Sequence, residues 1–383
     1  MCATRRGFLG AVLGPVFTGG AVLDQALFRA ARARAQSRAA LPELFDLERV
    51  ADGVWSALAR PQTLLNSNAV IFENAEDLLI VDAHSKPSAV AALVRQLRDH
   101  VTRKPVRYVV ASHFHWDHAH GLPAYRRFAP RADLVSSEAT RRLLGEQTAP
   151  RLKASLETIG KAIEDSKKKA ADARDAAERE AHRRMARESE EYLREMKDYA
   201  PELPNVTFDR DLVIHDKAHD LHLAFRGRGH TSGDVVVYCP SKKAVATGDL
   251  LHGFFPFMGD GYPLEWSRTL LAVAEFGFET IAGGHGGVFR SRDRLYQMAN
   301  YIEEITEAVV IGRRAGKPLA TIQAETTPEK LRTLADGGYG EETAAAILKY
   351  RMIAPPRPAP ATVIADSVRL NIEQIYTRLE QSA

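Results

Sequence analysis

His113-Phe114-His115-Trp116-Asp117-His118 puts four metal-binding side chains into six consecutive positions, directly after the β-branched run Val106–Ala111. In extended chain, residues two apart point the same way. His113 and His115 can therefore share one cation while Phe114 and Trp116 turn into the core. A bend after them lets Asp117 and His118 reach a second cation beside the first. Further along, Gly227-Arg228-Gly229-His230-Thr231-Ser232-Gly233-Asp234 follows a predicted strand at Asp220–Arg226. Thr247-Gly248-Asp249-Leu250 ends a strand at Ala244–Thr247, and Gly283-Gly284-His285-Gly286 ends one at Thr280–Ala282. Each of these segments lies just beyond the carboxyl end of a strand, the side where sheet enzymes build sites. Histidines buried for packing alone have no reason to share that end.

The flanking sequence supplies the frame. Leu44–Val50, Val54–Ala59, Ala69–Glu73 and Leu78–Val81 read as a meander, with turns at Asp52-Gly53 and Asn74–Asp77. A helix over 87–99 follows, with Val90, Leu93, Val94 and Leu97 on one face, then a helix near Leu122–Phe128 and a strand at Asp133–Val135. Strands resume at Asp211–His215, Asp220–Arg226, Val235–Cys239 and Ala244–Thr247, followed by a helix at Glu265–Phe276. Two blocks of strands, each followed by helices, predict an α/β sandwich with the sheets face to face.

Residues 138–200 interrupt this pattern. From 161 to 200 there is neither Gly nor Pro, and 11 basic and 11 acidic side chains alternate with alanines. That composition is helical. As a single helix these residues would reach about 60 Å, so the segment either projects or folds back as a hairpin. It is a solvated insertion packed at its ends, or else a lid or an arm for homodimerisation. Beyond residue 289 the chain reads as helices at Arg292–Ile311, Pro328–Ala335, Glu342–Tyr350 and Asp366–Leu379, with an extended Pro355–Pro360 spacer.

Composition limits the function. At 45% hydrophobic and 26% charged, the 383 residues are neither disordered nor a polytopic membrane protein. Two cysteines, Cys2 and Cys239, exclude a disulfide framework and a Cys-rich zinc site, and Cys239 reads as a packed thiol. Thr4-Arg5-Arg6-Gly7-Phe8-Leu9 precedes a weakly apolar run to Leu23 that is broken by Gly14, Pro15, Gly19 and Gly20. This resembles a twin-arginine export signal, with Ala33-Arg34-Ala35 as the cleavage site. The other reading is a basic N-terminal tail. The run is too short and broken to anchor the chain stably in a membrane. Residues 1–35 hold five arginines and one aspartate, so removing them takes the formal charge from +3 to −1. A nucleic-acid partner is therefore not expected; a small-molecule substrate is. The expected organisation is a leader over 1–35, a catalytic domain over 36–289 carrying the insertion, and a helical extension over 290–383.

Taken in order, His-x-His-x-Asp-His, Gly-His-Thr-x-Gly, Gly-Asp and Gly-His-Gly resemble the motifs of the metallo-β-lactamase superfamily, over residues 44–289 without the insertion. The resemblance implies a four-layer αββα sandwich and a metal-dependent hydrolase. It implies that His113, His115 and His230 hold one metal, that Asp117, His118 and His285 hold another, and that Asp249 bridges the two. Two zinc ions suit this ligand set, and iron or manganese also fit. A hydroxide bridging such a pair is the nucleophile, with Asp117 as the catalytic residue that orients it and shuttles its proton. Asp82 stands where relatives often carry Asp-Thr-Gly and can accept a hydrogen bond from a ligand histidine. Thr231 and Asp234 either support His230 or merely close its turn. His84 and His120 either back the ligands or are structural. The aromatic stretch from His252 to Met258 either lines the mouth of the site or packs.

An aspartate at the bridging position argues against the thiolate-bearing zinc β-lactamases and is more like the thioesterase, lactonase and phosphodiesterase branches. The helical tail is similar to that of glyoxalase-type thioesterases. The expected protein is a periplasmic or secreted dinuclear zinc hydrolase acting on a small ester, lactone, lactam or thioester. Two other classes stay open: a mononuclear iron oxidoreductase like the persulfide dioxygenases, and an interaction protein working through the charged insertion.

Overall fold

In β4 (Leu78–Val81), Leu78 and Ile80 pack against helices while Leu79 and Val81 face the other way, into a core shared with a second sheet. The same alternation runs through β3 (Ala69–Glu73) and β10 (Val235–Cys239), where Val235, Val237 and Cys239 point inward and Val236 and Tyr238 outward. Both faces of these strands are covered, so they read as near-continuous apolar runs. Burying one Val, Leu or Ile in such a layer contributes about 1.5–3 kcal/mol.

This computed structural model describes residues 43–336 and 338–381; the leader and its cleavage site lie outside the described residues. Seven strands form the first sheet, in the order β1-β2-β3-β4-β5-β6-β7. Besides β3 and β4 these are β1 (Phe45–Ala51), β2 (Val54–Ala59), β5 (Val106–Val110), β6 (Asp133–Ser137) and β7 (Val206–Phe208). The first four pair antiparallel, and β4 through β7 run parallel. The second sheet has the order β13-β12-β11-β10-β9-β8, from β8 (Asp211–His215), β9 (Asp220–Phe225), β10, β11 (Ala244–Gly248), β12 (Thr280–Gly283) and β13 (Val288–Phe289). Helices α1 (Pro87–His100), α2 (Trp116–Ala119) and α3 (Leu122–Phe128) cover the first sheet. Helices α6 (Pro263–Val273) and α7 (Asp293–Arg314) cover the second. The layers are αββα, as the sequence implied. Cys239 is buried between the sheets as a free thiol.

The insertion folds back on itself. It forms α4 (Glu138–Asp172) and α5 (Ala176–Met196), broken at Ala173–Asp175 with no Gly or Pro at the break. The Asp175 carboxylate caps α5 by accepting from the backbone N–H groups of Ala177 and Glu178. Several hydrogen bonds fasten the hairpin to the sandwich. Glu188 accepts from the backbone and hydroxyl of Thr63, Glu195 accepts from Ser88, and Arg151 reaches Asp260. A solvated projection would need none of these bonds, so the insertion is a wall of the domain.

The remaining helices are α8 (Leu319–Glu325), α9 (Arg332–Ala335), α10 (Tyr339–Tyr350) and α11 (Pro360–Gln381). The expected helix at 328–335 is a 3-10 turn followed by the four residues of α9. The last helix starts at Pro360, earlier than the periodicity suggested, because proline is tolerated in a first helical turn. Val363, Ile364, Val368, Ile372 and Ile375 of α11 join the core of α6 and α7, and the described residues from 44 onward form one compact unit.

Candidate metal centre

His113 and His115 leave the end of β5 in extended chain, and α2 begins at Trp116, which swings Asp117 and His118 round to the same side. Phe114 packs in the core as expected. Trp116 does not: the helix start turns its ring onto Tyr192 of α5, 6.1 Å between centroids, and leaves it half-buried. The loops after β9, β11 and β12 bring in His230, Asp249 and His285. All seven side chains foreseen as ligands meet at one end of the sandwich, and six are buried.

Three groups of donor atoms converge within 4.8 Å: His113 with His115 and His230, His113 with His118 and Asp249, and Asp117 with His118 and His285. Asp249 stands between the two sides. Its Oδ2 is 3.3 Å from His285 Nε2 and 3.7 Å from His230 Nε2, and its buried Oδ1 lies 3.3 Å from His118 Nε2. Asp117 Oδ2 is 3.1 Å from His285 Nε2 and 3.5 Å from His118 Nε2.

The outward nitrogens fix which inward atoms carry lone pairs. His115 donates from Nε2 to Asp260 Oδ2 at 2.8 Å, and His230 donates from Nδ1 to the Phe257 carbonyl at 3.2 Å. With those nitrogens turned outward, the second nitrogens of the two rings, His115 Nδ1 and His230 Nε2, both face inward. They are 2.8 Å apart, and His113 Nε2 is 3.1 Å from His115 Nδ1. Lone pairs facing at that range repel unless a proton or a metal ion lies among them. His118 is held the same way, donating from Nδ1 to Asp82 Oδ2 at 2.8 Å, while Ser112 Oγ is 3.0 Å from His113 Nδ1. Anchoring the far nitrogen to a carboxylate or carbonyl is how proteins orient metal-binding histidines. The donor set fits a metal.

Electrostatics divide the cluster in two. Burial among other imidazoles holds His113 and His230 well below the usual histidine range, so both stay neutral. On the other side burial alone would also lower His118 and His285, but the carboxylates outweigh it. Asp249 and Asp82 raise His118, and Asp249 and Asp117 raise His285 to about 9. Burial pushes Asp117 up, yet His118 and His285 bring it down to about 2. Two buried carboxylates are thus balanced by protons on two imidazoles, the balance a divalent cation would take over.

The other candidates sort by contact. Asp82 touches the cluster and also accepts from the backbone N–H of Ser112, holding a left-handed backbone (φ 73°) that costs roughly 1–3 kcal/mol in a non-glycine residue. Thr231 donates to Asp234 from its N–H and its hydroxyl, closing the turn beneath His230 with no hydrogen bond from either to the ring. His84 packs on Phe45 and bonds to the Ser67 carbonyl, away from the cluster, and burial drops it to about 3. His120 lies against Trp116 and Tyr199, held by burial at about 4. The stretch from His252 lines the cleft: Phe254 stacks on His285 at 5.4 Å, and Phe257 lies 5.9 Å from His115.

Two contributors were not foreseen. Asp260 accepts from His115 and pairs in two-pronged fashion with Arg151 of α4 at 2.7 and 2.8 Å. Asn68 donates to the carbonyls of Gly283 and Gly286 and accepts from the Ala59 N–H, fixing the loop that carries His285 to the first sheet. Neither partnership has a local sequence signature, since the partners lie a hundred residues or more apart in the chain. Gly284 in the same loop admits no side chain. A Cβ there would lie 2.3 Å from Asp249 Oδ1 and 2.6 Å from His118 Cε1. Gly284→Ala is expected to destabilise the fold by about 1–3 kcal/mol and to displace Asp249, read as a lower melting temperature together with weaker metal retention.

A family model described as Metallo-beta-lactamase superfamily matches residues 62–285, more than half of the chain. Solved structures of similar fold include one described as a metallo-beta-lactamase from Pontibacter korlensis. It is 17% identical with a TM-score of 0.50, over 68% of this chain and 99% of that one. No curated protein matches the sequence. With the sandwich, the converging donors at its open end and a family match that contains the cluster from His113 to His285, the chain belongs to the metallo-beta-lactamase superfamily.

Proposed function

We propose that this protein is a dinuclear zinc hydrolase that cleaves a small ester, lactone, lactam or thioester. The observation that carries the reading is the convergence of the seven donors, with His115 Nδ1 and His230 Nε2 turned inward by hydrogen bonds on their far sides. His113, His115 and His230 would hold one ion, Asp117, His118 and His285 the other, with Asp249 shared. Such ions supply Lewis-acid charge and lower the pKa of a bound water to near 7. Asp117, ionised and facing the cleft, accepts a proton from the attacking water and passes it to the leaving group. Phe254, Phe255 and Phe257 give the cleft one apolar wall beside its charged groups. The reading is tested by metal quantification on the purified protein joined to a panel of chromogenic lactam, lactone, thioester and phosphodiester. One iron per chain and no zinc would favour the oxidoreductase alternative.

The proposal extends to export by the twin-arginine route, resting on Arg5-Arg6 and the run that follows. Arg5→Lys with Arg6→Lys should trap the protein in the cytoplasm of a fractionated host.

Metal binding should depend on pH with a definite sign. The ions must displace the protons that Asp249 and Asp117 hold on His118 and His285. Affinity therefore rises with pH up to about 9 and falls below it, about tenfold per unit for each proton displaced. Competition against a zinc-binding dye at pH 6, 7 and 8 measures the slope, and a flat profile would contradict it.

A further inference from the structure

Beside the cleft that holds the cluster lies a second space of about 540 Å3, walled by the insertion. Leu64, His115, Trp116 and Arg151 line both, so the two adjoin along that edge. The floor of the second space is the ligand-bearing segment, with Phe114 and Trp116. Its far wall is α4 and α5, with Leu152, Ile159 and Tyr192. Leu152 and Tyr192 also form a small apolar core of their own with Met196, against which Leu64 and Trp116 pack.

The space offers no free charge. Arg151 is its one formally charged lining residue, and both prongs of that guanidinium are taken by Asp260. Burial keeps the His120 imidazole neutral. The Thr158 hydroxyl donates to the Ala154 carbonyl within its own helix. An anionic ligand would find nothing to pair with. At about 540 Å3 the space is in the range of small-molecule sites, and like them it is mostly apolar.

We infer that the insertion is the specificity element of the hydrolase. A neutral apolar substituent of the substrate, a medium-length alkyl chain or an aromatic ring, lies between α4 and Trp116 while the scissile bond sits at the cluster. This rests on the hydrolase reading above and names its substrate class. Apart from Arg151, which holds Asp260, the hairpin acts by binding the part of the substrate that does not react, so that contribution grows with the apolar surface covered.

The test uses the full mature chain as purified. Hydrolysis is followed for p-nitrophenyl esters from acetate to decanoate, and in parallel for acetate esters of lengthening alcohols; the two series show which side of the bond is read. The expected result is a rise in kcat/KM of about tenfold or more from acetate to octanoate, or along the alcohol series. Thr158→Trp, on the solvent-facing helix, should remove most of that rise, with a loss that grows with chain length. Rates independent of length in both series would overturn the inference while leaving the hydrolase reading intact. A second measurement does not need catalysis. The neutral fluorophore N-phenyl-1-naphthylamine should bind at one saturable site, excited by transfer from Trp116, and weaken at least about fivefold in Thr158→Trp. Absence of saturable binding, or binding indifferent to Thr158→Trp, overturns the inference whatever the esters do. Loss of all hydrolysis and all metal with the fluorophore still bound in the Thr158-dependent manner would sink the hydrolase reading alone.

Discussion

Asp249→Ala is expected to release at least one metal ion per chain on dialysis and to lower kcat/KM by about three orders of magnitude. Among the seven clustered side chains, Asp249 is the one whose two oxygens address both halves. Oδ1 lies 3.3 Å from His118, and Oδ2 lies 3.3 Å from His285 and 3.7 Å from His230. Removing it takes away the largest influence that raises His118 and His285, and it leaves the imidazole donors without their shared anion. The fold should survive, because Asp249 makes no hydrogen bond to the frame and its burial is that of a cavity wall. Metal analysis, kinetics and a thermal melt on one preparation decide the matter. A fully active variant with two ions would remove Asp249 from the centre.

Asp260→Asn should weaken metal binding about 10- to 100-fold and leave the seven clustered side chains in place. Asp260 sets the tautomer of His115 by accepting from Nε2, and an asparagine can turn its amide the wrong way and offer a donor instead. Burial pushes the Asp260 carboxyl up, but its hydrogen bonds to Arg151 and His115 prevail and hold it below the usual range. Arg151→Met removes the partner of that carboxylate and should weaken metal binding by a smaller factor. It should also speed proteolysis of the hairpin, since one of its fastenings is gone. Equal metal affinity in wild type and Asp260→Asn would show that His115 needs no such partner.

What the sequence disclosed was what repeats or clusters. Strands β2, β3, β4 and β10 fall where the apolar runs and turn residues put them, because burial on both faces leaves few polar residues to blur an edge, and the edge strand β8 shows by its alternation instead. The converging ligands were legible because each follows the end of a strand. Short elements were not: β7 and β13 have three and two residues, too few for any period. The break in the insertion carried a signal that composition hides. Asp175-Ala176-Ala177-Glu178 has the form of a helix start amid alanine and charge, and the carboxylate cap ends one helix and begins the next. Trp116 was misplaced because a two-residue period was extended one step past the point where α2 begins. Asp260 and Arg151 meet across 109 positions, a distance that no local pattern reports.

The donors do not come from one place in the sandwich. His113, His115, Asp117 and His118 follow a strand of the first sheet, whereas His230, Asp249 and His285 follow strands of the second. Any ion held among them is a rivet through the seam between two halves. Loading it should therefore tighten the whole molecule against heat in proportion to the logarithm of free metal, and a chelator should reverse that gain while the apolar core between the sheets keeps them together.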